Sequence, residues 1–494
     1  MKVRVGKWLR TLASSPAGRV GGRGGPPAGA LPAGRLAQRV LPAGLLSEAA
    51  VEGALKRALP KAVPPTPSRW SGATRTAFRF GCVYAGIYCL TTPQIYLALR
   101  GGGMGRLQEA ADAWAKRWAF RPARRWMATH VLDRELGADR FDGGDDPYTW
   151  SGQLCWLAAA AAVTPVWSAL DRGRPDHAAL NRWFRLAVRF CLAGQMFSYG
   201  AAKAVPLQFQ LPPSKLVQPL GDLSPMSLLW AQTGFSKPYQ ILLGCAEITG
   251  GLLLVVPRTA TLGALLSAVE MTQVVILNMT FDVPVKAHSL NLLLLSLLLL
   301  APDAARLAGA LTSGRALPQA VSRDLFRSRR ANQAAAALQI GAGLWLLGAQ
   351  LRNDWRFHKT YGGGQEKPEL YGLWEVEDFS ADGEQHPPLT TDARRWRRVV
   401  VDSASAVTIQ YMDDSLDTCM AVIDMDAGSI ALTRMTDPSW QAVLTFRRPA
   451  ADRLTVEAKA DGSDLRLRLR RRDLATVPLV SRGFHWVQDT SYLR

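Results

Sequence analysis

The amino-acid sequence predicts a multi-span α-helical membrane protein with a four-helix core, followed by a C-terminal antiparallel β-barrel-like domain. Three observations lead there. Seven apolar segments lie between residues 80 and 351, and a helix of about 17 to 25 apolar residues is long enough to cross a bilayer. A glycine-rich stretch, Tyr361-Gly362-Gly363-Gly364, then marks a change in the character of the chain. From Leu370 onward, apolar residues recur in short alternating runs separated by turn residues, the pattern of strands with one wet face.

The average composition conceals this division. The 494 residues are 48% hydrophobic, and the mean hydropathy is -0.00. A formal charge of +19 and a pI of about 10.1 raise the question of nucleic acid. The basic residues, however, collect in the N-terminal tail and in loops beside apolar segments, as the positive-inside rule describes. Zinc-finger spacing, basic zippers and RNA-binding aromatic signatures are missing, so nucleic acid is not an expected partner. Six cysteines form no CxxC pair, and five lie in apolar segments, where buried thiols acting as small hydrophobes are expected.

Residues 1–68, rich in Ala, Gly, Pro and Arg, are expected to form a disordered basic tail. Residues 69–184 hold two spans, Phe80 to Leu99 and Trp150 to Leu170. Between them, residues 104–130 interleave Trp114, Trp118, Phe120 and Trp126 with arginines, the composition of a helix lying in the interface. The four-span core, 185–305, comprises Leu186 to Pro206, Tyr239 to Val256, Thr259 to Asp282 and Ala287 to Leu300. A basic loop and a last span fill 306–351, and residues 352–369 form the linker. Arg172, Arg174, Arg182 and Arg185, then Arg258, then Arg315 to Arg330 alternate onto the side of the basic tail. This predicts a protein of the cytoplasmic membrane with its N terminus cytoplasmic and its C-terminal domain extracytoplasmic. Residues 100–140 are basic on the opposite side, which the interfacial reading accounts for.

In residues 370–494, eight runs read as strands, from Leu373 to Phe379 through Leu465 to Arg471, with turns such as Asp426-Ala427-Gly428 and Asp437-Pro438 between them. Eight antiparallel strands in sequence predict an up-and-down barrel.

The core spans carry the candidate chemistry. Gln195, Tyr199 and Lys203 recur every four residues, along one helix face. Lys203 either pairs with a carboxylate or snorkels toward the surface. Glu247 and Glu270 fall about 12 Å and about 18 Å of helix from the outer ends of their spans, so both sit near mid-depth. A carboxylate there shares a proton, pairs with a cation such as Lys203, or stays neutral; structural interhelical hydrogen bonding is the plainer alternative. Asn278 precedes a tight hairpin in which Asp282 and Lys286 are close enough to pair around Pro284, and His288 and Asn291 share a face just beyond it. A single histidine without a second at ligand spacing predicts no metal site. Ser224-Pro225 reads as an N-cap and first turn of a short surface helix.

These residues resemble the DoxX-like membrane family: Tyr199-Gly200-Ala201-Ala202-Lys203, then Gly244-Cys245-Ala246-Glu247 with Gly250-Gly251-Leu252-Leu253-Leu254, and a third span ending at Asn278 before Asp282. The likeness covers about 185–305 and implies a four-helix membrane unit, in some members linked to quinone-dependent sulfur or thiol oxidation. Lys203 and Glu247 match the family pattern. Gly372-Leu373-Trp374 is similar to the G-x-W start of lipocalin-like barrels, which places Arg482 over Trp374, and Arg482 to Trp486 is expected to form a fixed plug.

Two functions follow as expectations. In the first, the protein is a quinone-linked redox component or accessory subunit, an oxidoreductase if it is an enzyme. Tyr199, Lys203, Glu247, Glu270, Asn278 and His288 then hold the quinone, and the partners are the lipid bilayer and a membrane or extracytoplasmic redox protein. In the second, it is a non-enzymatic membrane-anchored scaffold, or a protein that binds a lipophilic ligand through the outer β domain. A transporter fits less well, because the paired broken helices of inverted repeats are not evident.

Overall fold

The computed structural model describes residues 70–102, 121–136, 144–313, 324–460 and 462–490. The expected tail 1–68 lies outside them, as do Trp114, Trp118 and Phe120 of the expected interfacial segment and Arg315 and Arg323 of the basic loop. The helices are α1 (Gly72–Thr91), α2 (Pro93–Leu99), α3 (Arg121–Val131), α4 (Pro147–Leu170), α5 (Ala178–Ala204), α6 (Pro225–Phe235), α7 (Lys237–Val255), α8 (Ala260–Thr280), α9 (Lys286–Leu300), α10 (Ala304–Ser313) and α11 (Arg329–Tyr361).

Their starts are written in the sequence. Side chains of Ser71, Asp146, Ser224, Ser236 and Ser328 accept from backbone N–H groups of their own first turns, satisfying donors that a helix leaves orphaned. Pro93, Pro147 and Pro225 occupy first helical positions, where a missing N–H costs nothing. Pro93 also holds Thr92 extended (φ -91°, ψ 115°). The expected straight span from Phe80 to Leu99 is therefore a bent pair, α1 and α2, turned by 71°.

Among the described residues, five helices are long and apolar enough to cross a membrane, α4, α7, α8, α9 with its continuation to Ala310, and α11; the bent pair makes a sixth. The protein is thus a membrane-associated helical assembly. The third expected span, Leu186 to Pro206, folds as part of α5 but does not belong to this set, because Arg189, Gln195 and Lys203 dilute its apolar character. Its packing explains how it tolerates them. Fourteen of its 27 residues are buried, against seven of 21 in α8, so neighbouring helices rather than lipid surround its polar groups.

Two arginines on one face of α5 bind the ends of other helices. Arg185 Nη2 donates to Leu299 O at 2.9 Å, and Arg189 donates through Nε and Nη2 to Leu254 O at 2.8 and 2.6 Å. Both guanidiniums meet the terminal carbonyls of α9 and α7, where a cation also complements the helix dipole. At the opposite end of α9, Asp145 accepts from the N–H groups of Lys286 (2.6 Å) and Ala287 (2.9 Å). The expected Asp282–Lys286 pair forms there at 2.7 Å.

A buried lock joins α1, α4 and the entry to α5. Arg79, 4% exposed, donates to His177 Nε2 (3.1 Å), Ser168 Oγ (2.9 Å) and Asp171 O (3.0 Å). Because His177 Nε2 accepts, the imidazole is neutral. Desolvation, reinforced by Arg79, holds its pKa below the ordinary value. A depressed histidine pKa makes a contribution to stability that is complete above about pH 6.5 and is lost as pH falls from there through the folded value. We expect thermal melts from pH 7.5 to 5 to show a falling midpoint in the native chain and a shallower fall in His177→Gln.

The C-terminal region is a closed eight-stranded antiparallel barrel, as the sequence predicts. Its strands are β1 (Gly372–Ala381), β3 (Trp396–Ser403), β4 (Ala406–Tyr411), β5 (Leu416–Asp424), β6 (Ser429–Arg434), β7 (Gln441–Ala450), β8 (Arg453–Ala460) and β9 (Ser463–Arg472). Neighbours pair in order, and β9 returns to β1 from Leu373↔Arg472 to Ala381↔Leu465, with a bulge between Val376 and Asp378. The two-residue β2 (Glu384–Gln385) only extends the edge of β1. Alternation sends Leu465, Leu467 and Leu469 inward and Arg466, Arg468 and Arg470 outward. Outside, Arg468 pairs with Asp378, and Arg470 pairs with Glu377 at 3.1 Å. The interior is filled by side chains, including Trp374, Phe379, Trp396, Trp440 and Phe446.

Two expectations for this region are corrected. Arg471, not Arg482, lies over Trp374, 5.7 Å from the ring centroid, because the strand that closes on β1 ends at residue 472, ten residues before Arg482. The terminal residues are no plug: Phe484 and Trp486 are 82% and 88% exposed.

Among the described residues, two stretches tie the barrel to the helical part. The expected linker 352–369 is shorter than predicted, because α11 continues past residue 351 to Tyr361 and is capped only at Gly362; residues 362–371 join the barrel to it, and the loop after α5 runs along the barrel wall. Asp402 Oδ1 accepts from Ser214 N (2.9 Å), and Gln410 Nε2 donates to Val217 O (3.0 Å). Burial beneath this loop pushes the Asp402 carboxyl up, opposed by its bonds to Ser214 and Thr408.

Candidate functional site

Glycine sets the crossing of α5 and α7. A Cβ on Gly244 would stand 2.4 Å from Ala204 N and 2.5 Å from Gly200 O, and one on Gly200 would stand 2.9 Å from Gly244 O. Only residues without side chains let two backbones come this close. Three residues further along each helix, Lys203 and Glu247 meet. Lys203 Nζ donates to Glu247 Oε1 at 2.9 Å and Oε2 at 2.8 Å. Both side chains are buried, so Lys203 pairs rather than snorkels. The ammonium also lies 5.5 Å from the centroid of the Tyr199 ring, one turn earlier on α5, close enough for a cation–π attraction.

Glu270 approaches from α8. Its Oε2 lies 3.1 Å from the place a Gly250 Cβ would take, and Ser267 Oγ lies 3.0 Å from the same point. Gly250 follows Glu247 by three residues and so shares its face of α7. Lys203 and Glu247 both act electrostatically on Glu270. The two Glu270 carboxyl oxygens and the Ser267 hydroxyl are enclosed, yet none has a hydrogen-bond partner among the described residues. Enclosed groups left in this way cost about 1–3 kcal/mol each, so a niche of this kind favours whatever supplies the missing donor.

His288 connects this group to α1. Its ring lies 6.0 Å from that of Tyr199, its Nε2 is 3.1 Å from Gln195 Oε1, and its Nδ1 is 3.1 Å from Tyr88 Oη. Gln195 Nε2 in turn donates to Gln94 O at 2.8 Å. With Gln195 thus accepting through oxygen, His288 donates from Nε2 and receives the Tyr88 proton at Nδ1. A second polar knot lies nearby: Tyr84 Oη donates to Asn291 Oδ1 (2.7 Å), and Asn291 Nδ2 donates to Gln153 Oε1 (2.8 Å).

Of the six residues expected at the site, Tyr199, Lys203, Glu247 and Glu270 gather into one cluster, and His288 borders it through Tyr199. Asn278 stands apart, donating to Ser289 Oγ at 3.0 Å across the hairpin into α9. Reading the sequence missed Tyr88, Gln153 and Ser267. Tyr88 and Gln153 lie in apolar segments before the core, and each is a polar residue in an apolar run. The same signal that marks Glu247 and Glu270 in the core therefore marks these two outside it.

No family model matches the chain, and no solved structure matches it. A similarity exists to an uncharacterised protein, YwoB of Bacillus subtilis (strain 168), with 30% identity over 140 residues, which is 28% of this chain and 90% of that protein.

Proposed function

We propose, from the premise that this chain belongs to the family of YwoB of Bacillus subtilis, that its Lys203–Glu247–Glu270 cluster binds the polar head of a quinone and serves membrane redox chemistry. The observation that carries this reading is the enclosed Glu270 carboxyl with neither oxygen partnered, set beside a buried ammonium. A quinone would bring two carbonyl acceptors and, on becoming a quinol, take up two electrons and two protons. Lys203 has three N–H donors and directs two at Glu247, which leaves one for a carbonyl oxygen. Glu270 can hold a proton at its free oxygens and present it as a donor, and Tyr199 closes the side beside Lys203. Gly244 lets α5 and α7 approach closely enough for the Lys203–Glu247 pair, and Gly250 leaves room for the Glu270 carboxyl.

In this proposal the four-helix core is DoxX-like, and the electrons are exchanged with a membrane or extracytoplasmic redox protein. The N terminus is cytoplasmic and the barrel outside, a placement supported by the arginines in loop 171–177 and at the start of α11. Purified protein in nanodiscs is expected to bind menaquinone or ubiquinone and to reduce it with thiosulfate or a thiol. Glu270→Gln should weaken binding about tenfold, the worth of roughly one hydrogen bond. A native chain that binds neither quinone ends the proposal.

One observation favours a second reading. Lys203 and Glu247 satisfy each other in a closed pair, as a structural clamp would, and the barrel interior is filled by its own side chains. In a non-enzymatic scaffold, Glu270→Gln leaves function intact, whereas deleting the barrel abolishes it.

A further inference from the structure

Barrel topology fixes where the C-terminal segment starts. β9 ends opposite the start of β1, at Leu373↔Arg472, and Arg471 Nη2 donates to Tyr371 O at 2.7 Å. Only residues 362–371 separate that start from Tyr361, the last residue of α11. The segment after Arg472 therefore leaves the barrel at the end nearest the emerging membrane helix. The opposite end carries the β6–β7 turn, with Thr436.

The last turns of α11 have the composition of a membrane boundary. Trp355 and Tyr361 are 52% and 70% exposed and lie among Arg352, Arg356 and Lys359, with Lys359 Nζ 5.4 Å from the Trp355 ring centroid. Aromatic rings and snorkelling cations together mark the headgroup layer. The terminal segment repeats that chemistry. After the short helix Pro478–Ser481 come Arg482, Phe484, Trp486 and Val487. The Phe484 and Trp486 rings pack on each other at 6.0 Å and otherwise face outward. Three large apolar side chains within four residues, each more than three-quarters exposed, are costly in water and favourable where hydrocarbon and headgroups meet. The 12 residues from Arg472 to Phe484 include the helical turns Leu474–Thr476 and Pro478–Ser481 and even so can span about 29 Å, so reaching the layer entered by α11 needs no rearrangement of the barrel.

We propose that the segment 482–487 is a second membrane contact, seating Phe484, Trp486 and Val487 in the headgroup layer of the bilayer face from which α11 emerges. The occupant is lipid, and the contact pins the barrel's near end to the surface. It does not depend on the quinone reading.

The test uses the full-length chain in nanodiscs whose lipids carry a nitroxide on the headgroup. A fluorescent amino acid replaces Phe484 in one variant, Trp486 in a second and Thr436 in a third. Quenching several-fold stronger at 484 and 486 than at 436 is the expected result. Equal quenching at all three positions overturns the proposal. So does quenching at 484 and 486 that disappears when each nanodisc holds a single copy of the chain, which would assign the segment to a second protomer.

Discussion

Lys203→Met is expected to destabilise the helical part by about 3–5 kcal/mol, the cost of leaving one member of a buried ion pair alone. The substitution leaves an unbranched side chain only one atom shorter and removes its charge, so packing against Tyr199 largely survives while Glu247 loses both of its hydrogen bonds. Removing both members should cost far less. In Lys203→Met/Glu247→Leu, no buried charge remains, and exchanges of buried pairs for well-packed apolar residues are often neutral. Unfolding of the reconstituted protein, followed by helical circular dichroism during denaturant titration, gives the comparison. A single variant as stable as the native chain would show that the pair is solvated and not a structural element of the core.

Gly244→Ala should disrupt the same place by geometry alone. The added methyl would meet backbone atoms at 2.4 and 2.5 Å. Backbone cannot swing aside as a flexible side chain can, so α5 and α7 must separate. Overpacking costs about 1–3 kcal/mol in ordinary cores, and here the upper end is expected, with the Lys203–Glu247 distance lengthening as the helices part. Gly341→Ala provides the control: nothing lies within 4 Å of its Cβ, and the gain in helix propensity is up to about 1 kcal/mol. Equal melting temperatures for the two variants would refute the close approach.

The barrel was legible in detail because period-two alternation reports one residue at a time which way it faces. All eight runs became strands, and Leu465 to Arg470 alternate inward and outward as written. The helical part was legible in its element positions but not in its partners. An apolar run fixes a helix, whereas nothing along it says which neighbour its glycines touch. Gly244 read as one letter of a motif, yet its closeness to Gly200 and Ala204 depends on how two helices cross. Arg185 read as a loop charge for the same reason, since its acceptor, Leu299 O, is 114 positions away. The polar character of α5 was likewise visible, but its burial was not, because burial depends on which helices surround it. At the chain's end, Phe484 and Trp486 suggested a plug by composition, and only the closure of β9 on β1 left them outside.

The two attachments of the barrel have a mechanical consequence. A domain on a single linker pivots about it, and its orientation carries no information to the rest of the molecule. Here residues 362–371 hold one point, and loop residues 214 and 217 hold the wall at Asp402 and Gln410. Two separated points remove most of the pivot, so the barrel turns only by dragging that loop. Ser214 lies 11 residues after Lys203 on the same strand of chain. Torque applied to the barrel is therefore delivered to the C-terminal end of α5, the end that carries the buried ion pair.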